Sequence, residues 1–333
     1  MKFSTAPLSL TIAGLLAGCA GSGAPPAPSG MFAPPLAPGN SAEFPNRSAS
    51  WMLPGAHAAP SLLYISNAGT SDVTVYNYLD GKGLLLVGTL TGFALPTGMC
   101  TDNAGNVWIP DYDTRKIREY AHGGTSPIFT ITEHTGRPYD CSVDPKTGNL
   151  AIANQQPGNK YYLYGQVVIF PKGSRQGQPH SPANGFSEID SLTYDNSGNL
   201  FVSGAENYYG PALFELPKGA SQLSPLTLNG GTLYQPIAVN WIKPTLLLGD
   251  QNFQNSGQPG AYKIYVSGST ATVVGTLTFS GTQQTYAFWR RATRVIVPDH
   301  TGNIVRVYNL SDGTLYNKLT TDISLPFGAV VSP

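Results

Sequence analysis

The sequence has few charged residues, few histidines and few cysteines, and each shortage excludes a class of function. Charged residues make up 11% of the chain, against roughly 25% in typical soluble domains, and the net charge is zero. The chain therefore has no basic surface for nucleic acid and no acidic run for a cationic partner. The five histidines and three cysteines lack the paired spacing of a zinc site, and no G-x-S-x-G nucleophile elbow occurs.

The chain instead contains a repeated pattern and no helical stretch of convincing length. Each copy has a polar turn, a short apolar strand, and in most copies an Asp or Asn at or next to the end of that strand. The apolar strands read SLLYISN, NVWIPD, NLAIAN, NLFVSG, TLLLGD and RVIVPD. A period of roughly 45 residues built from short strands and Gly/Asn turns is typical of a β-propeller, whose blades contain four antiparallel strands. The sequence predicts an all-β, six-bladed β-propeller over residues 61–333.

The two ends of this repeat predict how the ring closes. The first copy begins at SLLYISN with no innermost strand before it. The chain ends in Pro326-Phe327-Gly328-Ala329-Val330-Val331, which is similar to the innermost strand PTGMCTD of the second copy. We expect the C-terminal strand to pair inside the first blade, because this removes an open sheet edge.

The turns carry a resemblance to a known family. The stretches DNAGNVWIPD, DPKTGNLAIAN and DNSGNLFVSG resemble NHL-type six-bladed propellers, in which a D-x-x-G-N turn precedes a strand that ends in Asp. Two copies, IKPTLLLGD and RATRVIVPD, lack the Gly-Asn turn. The resemblance implies the architecture and does not identify an activity, since one fold hosts many functions.

The first 60 residues predict an export signal followed by a tether. Residues 1–19 have the pattern of a secretory signal, and Leu16-Ala17-Gly18-Cys19 resembles the bacterial lipobox. That resemblance implies a lipid on Cys19 and a cell-envelope lipoprotein, in the outer membrane if the organism has one; an ordinary cleaved signal is the alternative. Residues 20–60 are rich in Gly, Ala, Pro and Ser and predict a disordered tether. Its exceptions, Phe32, Phe44, Trp51 and Met52, leave open that this part lies along the propeller's side.

Two cysteines fall in the innermost strands of adjacent predicted blades. An exported protein permits a disulfide between Cys100 and Cys141. However, Cys100 lies four residues after the Pro of its strand and Cys141 lies three residues after its own. Because side chains alternate along a strand, this offset favours two separate buried residues, with the disulfide as the alternative.

Polar residues converge on the face where second strands end and innermost strands begin. The repeated Asn67, Asp111, Asn154, Asp250 and Asp299 suit hydrogen bonding to backbone N–H groups of turns, and a ring of acids around a metal is the alternative.

Three further residues do not belong to that repeat. Asp140 and Asp190 are candidates for catalysis, together with His134, which precedes Arg137 and Asp140 and could act as an acid or base.

The loops after the second strands are long in three consecutive blades. They carry aromatic residues among Asn and Gln, which suit stacking on a sugar ring or a peptide; packing of the loops against one another is the alternative. With Arg137, the predicted ligand-binding residues are Tyr161, Tyr162, Tyr164, Tyr208, Tyr209 and Phe253.

These patterns favour a monomeric, surface-tethered binding or scaffold module for a glycan, peptide or protein, held to the membrane through Cys19. No cofactor is predicted. Because gluconolactonase-type lactonases and streptogramin lyases are also six-bladed propellers, the alternative is a metal-dependent hydrolase or lyase, with a divalent cation at the axis. The glutamate that the lactonases use has no clear match here: the one near an innermost strand is Glu188.

Overall fold

Short strands joined by tight turns make up nearly all of the chain that the structure describes. The computed structural model describes residues 49–156, 164–206 and 209–333, with the backbone alone for Gln156 and Tyr164. Two single-turn 3-10 segments, Ala56–Ala58 and Phe253–Asn255, interrupt the strands. No helix within these ranges has the length and apolar character needed to cross a membrane.

The strands are numbered in chain order. The first twelve are β1 Trp51–Met52, β2 Leu62–Asn67, β3 Asp72–Asn77, β4 Leu86–Leu90, β5 Cys100–Thr101, β6 Val107–Asp111, β7 Lys116–Tyr120, β8 Pro127–Thr132, β9 Arg137–Val143, β10 Leu150–Gln156, β11 Tyr164–Phe170 and β12 Gln178–His180. The remaining strands are β13 Phe186–Tyr194, β14 Leu200–Glu206, β15 Gly210–Leu216, β16 Ser224–Asn229, β17 Pro236–Ile242, β18 Thr245–Asp250, β19 Gly260–Ser267, β20 Thr270–Thr278, β21 Trp289–Arg291, β22 Arg294–Asp299, β23 Ile304–Asn309, β24 Leu315–Leu319 and β25 Pro326–Ser332.

Antiparallel pairing places these strands in six groups. Five of them follow chain order from the inner to the outer strand: β5 to β8, β9 to β12, β13 to β16, β17 to β20, and β21 to β24. The remaining group has the order β25, β2, β3, β4, with β1 added at its outer edge. Single-bridge pairing of β11 with β13 and parallel pairing of β16 with β20 join three of the groups into one curled twelve-stranded sheet.

The C-terminal strand closes a ring of inner strands. β25 pairs antiparallel with β2, where Val331 lies opposite Leu63, and all seven residues of β25 are buried. Contacts between successive inner strands run from β25 to β5, β9, β13, β17, β21 and back to β25. The predicted closure is therefore confirmed: the last strand of the chain completes the first group.

The core lies between neighbouring groups. One buried cluster joins Trp108 and Ile131 of the second group to Ile152 and Phe170 of the third, and another joins Ile296 of the last group to Ile65 of the first. The second strands are buried on both faces because a neighbouring group covers each face. This explains why they read as continuous apolar runs rather than as alternating patterns.

A disulfide joins Cys100 of β5 to Cys141 of β9, with their Cα atoms 5.5 Å apart. The disulfide is therefore the alternative that the structure shows, and the expectation of two separate residues is wrong. The one-residue offset itself remains, because the segment before β5 carries the same irregularity as β9: Pro96 lies opposite Asp111 and Cys100 opposite Trp108. Since the two cysteines belong to adjacent groups, opposite faces of those groups meet in one buried cluster, which brings the two sulfur atoms together.

Residues 49–60, which the sequence assigns to the tether, contain structure of their own. β1 pairs with β4, where Trp51 lies opposite Thr89. Met52 and Ala59 pack against the buried cluster of the first group. These contacts match the alternative that the segment around Trp51 and Met52 lies along the propeller's side, rather than the disordered tether. Phe32, Phe44 and the rest of residues 1–48 lie outside the described residues.

Candidate binding site at the start of the inner strands

Four inner strands carry an irregular register at the same level. The extra residue is Tyr139 in β9 and Asp190 in β13. In β17 two residues, Ile237 and Ala238, face one on β18, and in β25 Phe327 and Gly328 do the same against β2. Bulges bend a strand and redirect side chains, and they are frequent beside functional sites.

The same register places Thr97 and Tyr286 at the equivalent positions of the other two inner segments, which lead into β5 and β21. We call these six residues the axial ring: Thr97, Tyr139, Asp190, Ile237, Tyr286 and Phe327. One of them, Asp190, is acidic, and the others are aromatic, aliphatic or hydroxylic. The closed cycle of inner strands thus places the carboxyl group of Asp190 in the same ring of side chains as Tyr139, Tyr286 and Phe327.

Aromatic side chains form a continuous chain through this ring. Tyr139 packs edge-on against Phe327 at 5.1 Å between ring centroids, and Phe327 stacks on Tyr286 at 4.9 Å. The chain extends from Tyr139 to Tyr112 at 6.2 Å and from Tyr286 to His300 at 5.0 Å. These contacts fix the side of the site that faces Asp190.

The carboxyl group of Asp190 has no counter-charge. Its side chain is 8% exposed, and it has no hydrogen bond or ion pair with any residue that the structure describes. Burial, and then the charge of Glu188, raise the pKa of Asp190 well above its ordinary range. Burial also raises the pKa of Glu188 to about 7. A buried carboxylate without a partner is costly, and such groups concentrate at functional sites.

Tyr139 lies within electrostatic reach of both acids. Burial raises the pKa of its hydroxyl well above the ordinary value, and Asp190, Tyr286 and Glu188 raise it further. Its phenol therefore stays neutral at neutral pH and well above it.

Asp140 is built into the scaffold instead. It accepts a 2.6 Å hydrogen bond from Ser191 Oγ and further bonds from the backbone N–H groups of Cys141 and Leu192. Burial raises its pKa to about 7 against the effect of these bonds. Residue 98 is glycine because a Cβ there would lie 2.2 Å from Asp140 Oδ1. Asp140 thus joins the third group to the fourth, whereas Asp190, the other acidic candidate, is left unpaired.

The predicted cluster of His134, Arg137 and Asp140 does not form. Arg137 makes a 2.5 Å ion pair with Asp113, and its guanidinium lies 5.1 Å from the centroid of the Tyr112 ring. His134 is exposed in the loop before β9, and no described hydrogen bond joins it to the other two. Arg137 therefore borders the aromatic chain, and His134 stands apart from it.

Four of the five repeated residues at the second-strand ends accept hydrogen bonds from backbone N–H groups of turns, as expected, and Asn154 is the exception. Asp111, Asp250 and Asp299 are fully buried, and each accepts hydrogen bonds from two consecutive backbone N–H groups before an inner strand. Asn67 accepts one from Ser324, and Asn154 donates one to Thr135. Across the described ranges, no group of three or more His, Cys, Asp or Glu residues is arranged to hold a metal ion.

The predicted tyrosine patch is only partly within the described residues. Tyr209 is 73% exposed. Phe253 is 2% exposed and packs on Tyr262 at 4.7 Å, so the expectation that it presents its ring to a ligand is wrong: it supports its loop from inside. Tyr161, Tyr162, Tyr208 and the side chain of Tyr164 lie outside the described residues.

Six residues of this site were missing from the predicted set: Glu188 and the five axial-ring residues other than Asp190, which are Thr97, Tyr139, Ile237, Tyr286 and Phe327. A signal was present for four of them, because Thr97, Tyr139, Ile237 and Phe327 each follow the Pro at the start of an inner segment. Glu188 carried no signal, because its role depends on the bulges of β13, where Ser187 and Asp190 interrupt the pairing.

The comparisons with known proteins identify the fold. No family model matches this sequence, and no curated protein matches it. Among solved structures, a chain from a crystal structure of a nidogen/laminin complex matches with a TM-score of 0.63 and 13% identity, covering 82% of this chain and 98% of that one. That chain is a β-propeller, so the predicted all-β propeller is confirmed. At this identity the likeness concerns the fold alone.

Asp190→Asn should raise stability at neutral pH. A raised pKa means that the folded state holds protons that the unfolded state releases, so the acidic pair lowers stability as the pH rises from about 4 to about 7. We therefore expect a gain in the free energy of unfolding at neutral pH that vanishes below pH 4. Urea unfolding between pH 4 and 8 measures it.

Asp312→Asn is the matched control. Asp312 is exposed, and hydrogen bonds from Thr314 lower its pKa, so its replacement gives no gain at neutral pH. A neutral-pH loss of stability in Asp190→Asn, as large as that expected for an ion-paired carboxylate, would show that Asp190 has a partner.

Proposed function

We propose that this protein is an exported binding module, tethered to the cell envelope through a lipid on Cys19, and that it takes its ligand over the axial ring. The observation that carries the proposal is the unpartnered carboxyl group of Asp190 among Tyr139, Tyr286 and Phe327. A protein retains such a costly group where an external partner offsets the cost.

The surroundings of Asp190 suit binding. Aromatic rings provide contact area at small entropic cost, and Tyr286 is half-buried, so part of its ring is open to a ligand. Arg137 and the exposed Tyr209 provide polar and aromatic groups on the loops of the same face. The chain's likeness to a chain from a nidogen/laminin complex adds a precedent for a peptide or protein ligand on this fold.

Tyr286→Ala should weaken ligand binding at least tenfold, because it removes one wall of the axial ring. The full-length protein, extracted in detergent, is screened by thermal shift against glycans, peptidoglycan fragments and peptides, since a ligand of the native state raises the melting temperature. Tyr265→Ala, at a 48% exposed position on β19, is the matched control and should bind as the wild type does. Equal binding by both variants, or no ligand from any class, contradicts the proposal.

Cys19→Ser should release the protein from the membrane fraction. A diacylated or triacylated cysteine gives stable anchoring, whereas a processed or unprocessed chain without lipid lacks it. Cell fractionation followed by mass spectrometry of the N-terminal peptide measures the change. Membrane association that persists in Cys19→Ser, after a high-salt wash, would contradict lipid anchoring.

A further inference from the structure

The charges at the axial ring are unbalanced. Glu188 and Asp190 are the charged groups whose fields reach Tyr139, and neither is ion-paired within the described residues. The nearby cation, Arg137, is already paired with Asp113. When both acids are ionised, two negative charges therefore remain without a counter-charge in a site that is largely removed from water.

The rest of the site favours an organic cation. The faces of aromatic rings carry negative electrostatic potential and attract cations within about 6 Å of the ring centroid. Tyr139, Phe327 and Tyr286 are packed against one another, and Tyr139 occupies the ring position next to Asp190. The fixed rings provide an apolar surface, and the two carboxyl groups provide hydrogen-bond acceptors for which the described part of the chain supplies no donor.

We propose that the axial ring binds its ligand through a primary ammonium group, which donates hydrogen bonds to the carboxylates of Asp190 and Glu188 while its adjoining methylene groups lie against Tyr139 and Tyr286. This assignment rests on the proposed function and specifies the class of ligand. The ammonium belongs to a small amine, an amino sugar or a lysine side chain, which share this chemistry.

Other ligand chemistries fit the residues less well. Calcium and magnesium prefer about six or more oxygen ligands, whereas the ring positions on either side of Asp190 hold Tyr139 and Ile237, neither of which carries a carboxylate or amide oxygen. An anion would meet two negative charges. A neutral sugar can stack on the rings but leaves both carboxylates without a counter-charge, and an unpaired buried charge remains costly.

The assignment predicts a direction of pH dependence. Glu188, with a pKa of about 7, loses its proton as the pH rises through neutrality, while a lysine ammonium stays charged up to about pH 10. Burial also raises the pKa of Asp190 and lowers that of His300, so neither group adds positive charge as the pH rises. Tyr112, Tyr139 and Tyr286 have raised pKa values and stay neutral, and Arg137 is ion-paired with Asp113. The affinity for an alkylammonium group, in a small amine or a lysine side chain, should therefore rise from pH 5 to pH 8, whereas the less basic amine of an amino sugar loses its own proton as the pH approaches 8.

The experiment uses pairs of probes in which acetylation of one nitrogen removes its positive charge. Nα-acetyl-lysine amide is compared with its Nε-acetylated form, and glucosamine with N-acetylglucosamine. Butylammonium chloride tests the small amine alone. Binding to the full-length protein is measured by saturation-transfer NMR and isothermal titration at pH 5 and 8, and it is repeated on Asp190→Asn and on Asp312→Asn, which makes the same change at an exposed site on the turn between β23 and β24.

We expect one or more charged probes to bind and their acetylated partners to bind at least tenfold more weakly. Asp190→Asn should bind the charged probe at least tenfold more weakly than the wild type, and Asp312→Asn should keep the wild-type affinity. The pair of probes that responds identifies the source of the amine. Equal binding of charged and acetylated forms, or unchanged binding in Asp190→Asn, overturns the assignment.

The failure of this assignment can be told apart from failure of the proposed function. If no ammonium probe binds up to about 10 mM while a neutral glycan or peptide binds and Tyr286→Ala removes that binding, the ammonium assignment fails and the binding module stands. If no ligand of any class responds to Tyr286→Ala, both fail. Because Asp190→Asn is expected to be at least as stable as the wild type at neutral pH, loss of binding is not attributable to unfolding.

Discussion

Closure of the ring of inner strands by β25 is the constraint on which the other features of this structure depend. β25 is the innermost strand of the first group, although it is the last in the chain. Its pairing removes the open edge of β2, which would otherwise offer an unpaired strand to other molecules. The same strand supplies Phe327, which contacts both Tyr139 and Tyr286. The fold and the candidate site are therefore completed by one element, and neither is assembled before the C-terminus is in place.

The irregular register at the start of the inner strands redirects the side chains that form the candidate site. A regular strand would alternate its side chains between the two neighbouring groups, whereas a bulge redirects one residue. The two acids of β9 and β13 show the alternatives. Asp140 has Ser191 and backbone donors and joins two groups, whereas Asp190, at the bulge of β13, has Glu188 as its charged neighbour. The first arrangement stabilises the fold, and the second lowers stability at neutral pH; under the proposed function, it leaves a carboxyl group for a ligand.

The architecture was predictable because it depends on local and repeated features. Asp111, Asp250 and Asp299 recur at strand ends, where a carboxylate can accept two backbone N–H groups, and the apolar second strands follow from burial on both faces. The one-residue offset between Cys100 and Cys141 was predictable, but its consequence depends on the ring. Opposite faces of two neighbouring groups meet in one buried cluster, so the offset brings the cysteines together as a disulfide.

The site was less predictable than the fold for a related reason. Low overall charge gave no indication of a cation-binding surface, because two acids in one place do not alter the composition. Phe253 looked like a ligand contact in its loop sequence but is buried against Tyr262, since a long loop needs a core of its own. The carboxyl groups of Glu188 and Asp190 interact electrostatically because of the bulges of β13. Tyr286 contacts Phe327 because the ring closes.

The most direct test of this account is a carboxyl carbon-13 NMR titration of Glu188 and Asp190 in the free protein, with each resonance assigned by its Gln or Asn variant. The account predicts that the two groups titrate as a coupled pair, one near pH 7 and both above the range near 4 that is usual for exposed carboxyl groups. It also predicts that an ammonium ligand lowers both apparent values, because a cation favours the ionised forms. Two independent titrations near pH 4, unchanged by any cation, would contradict the claim that the axial ring holds an unpartnered acidic pair.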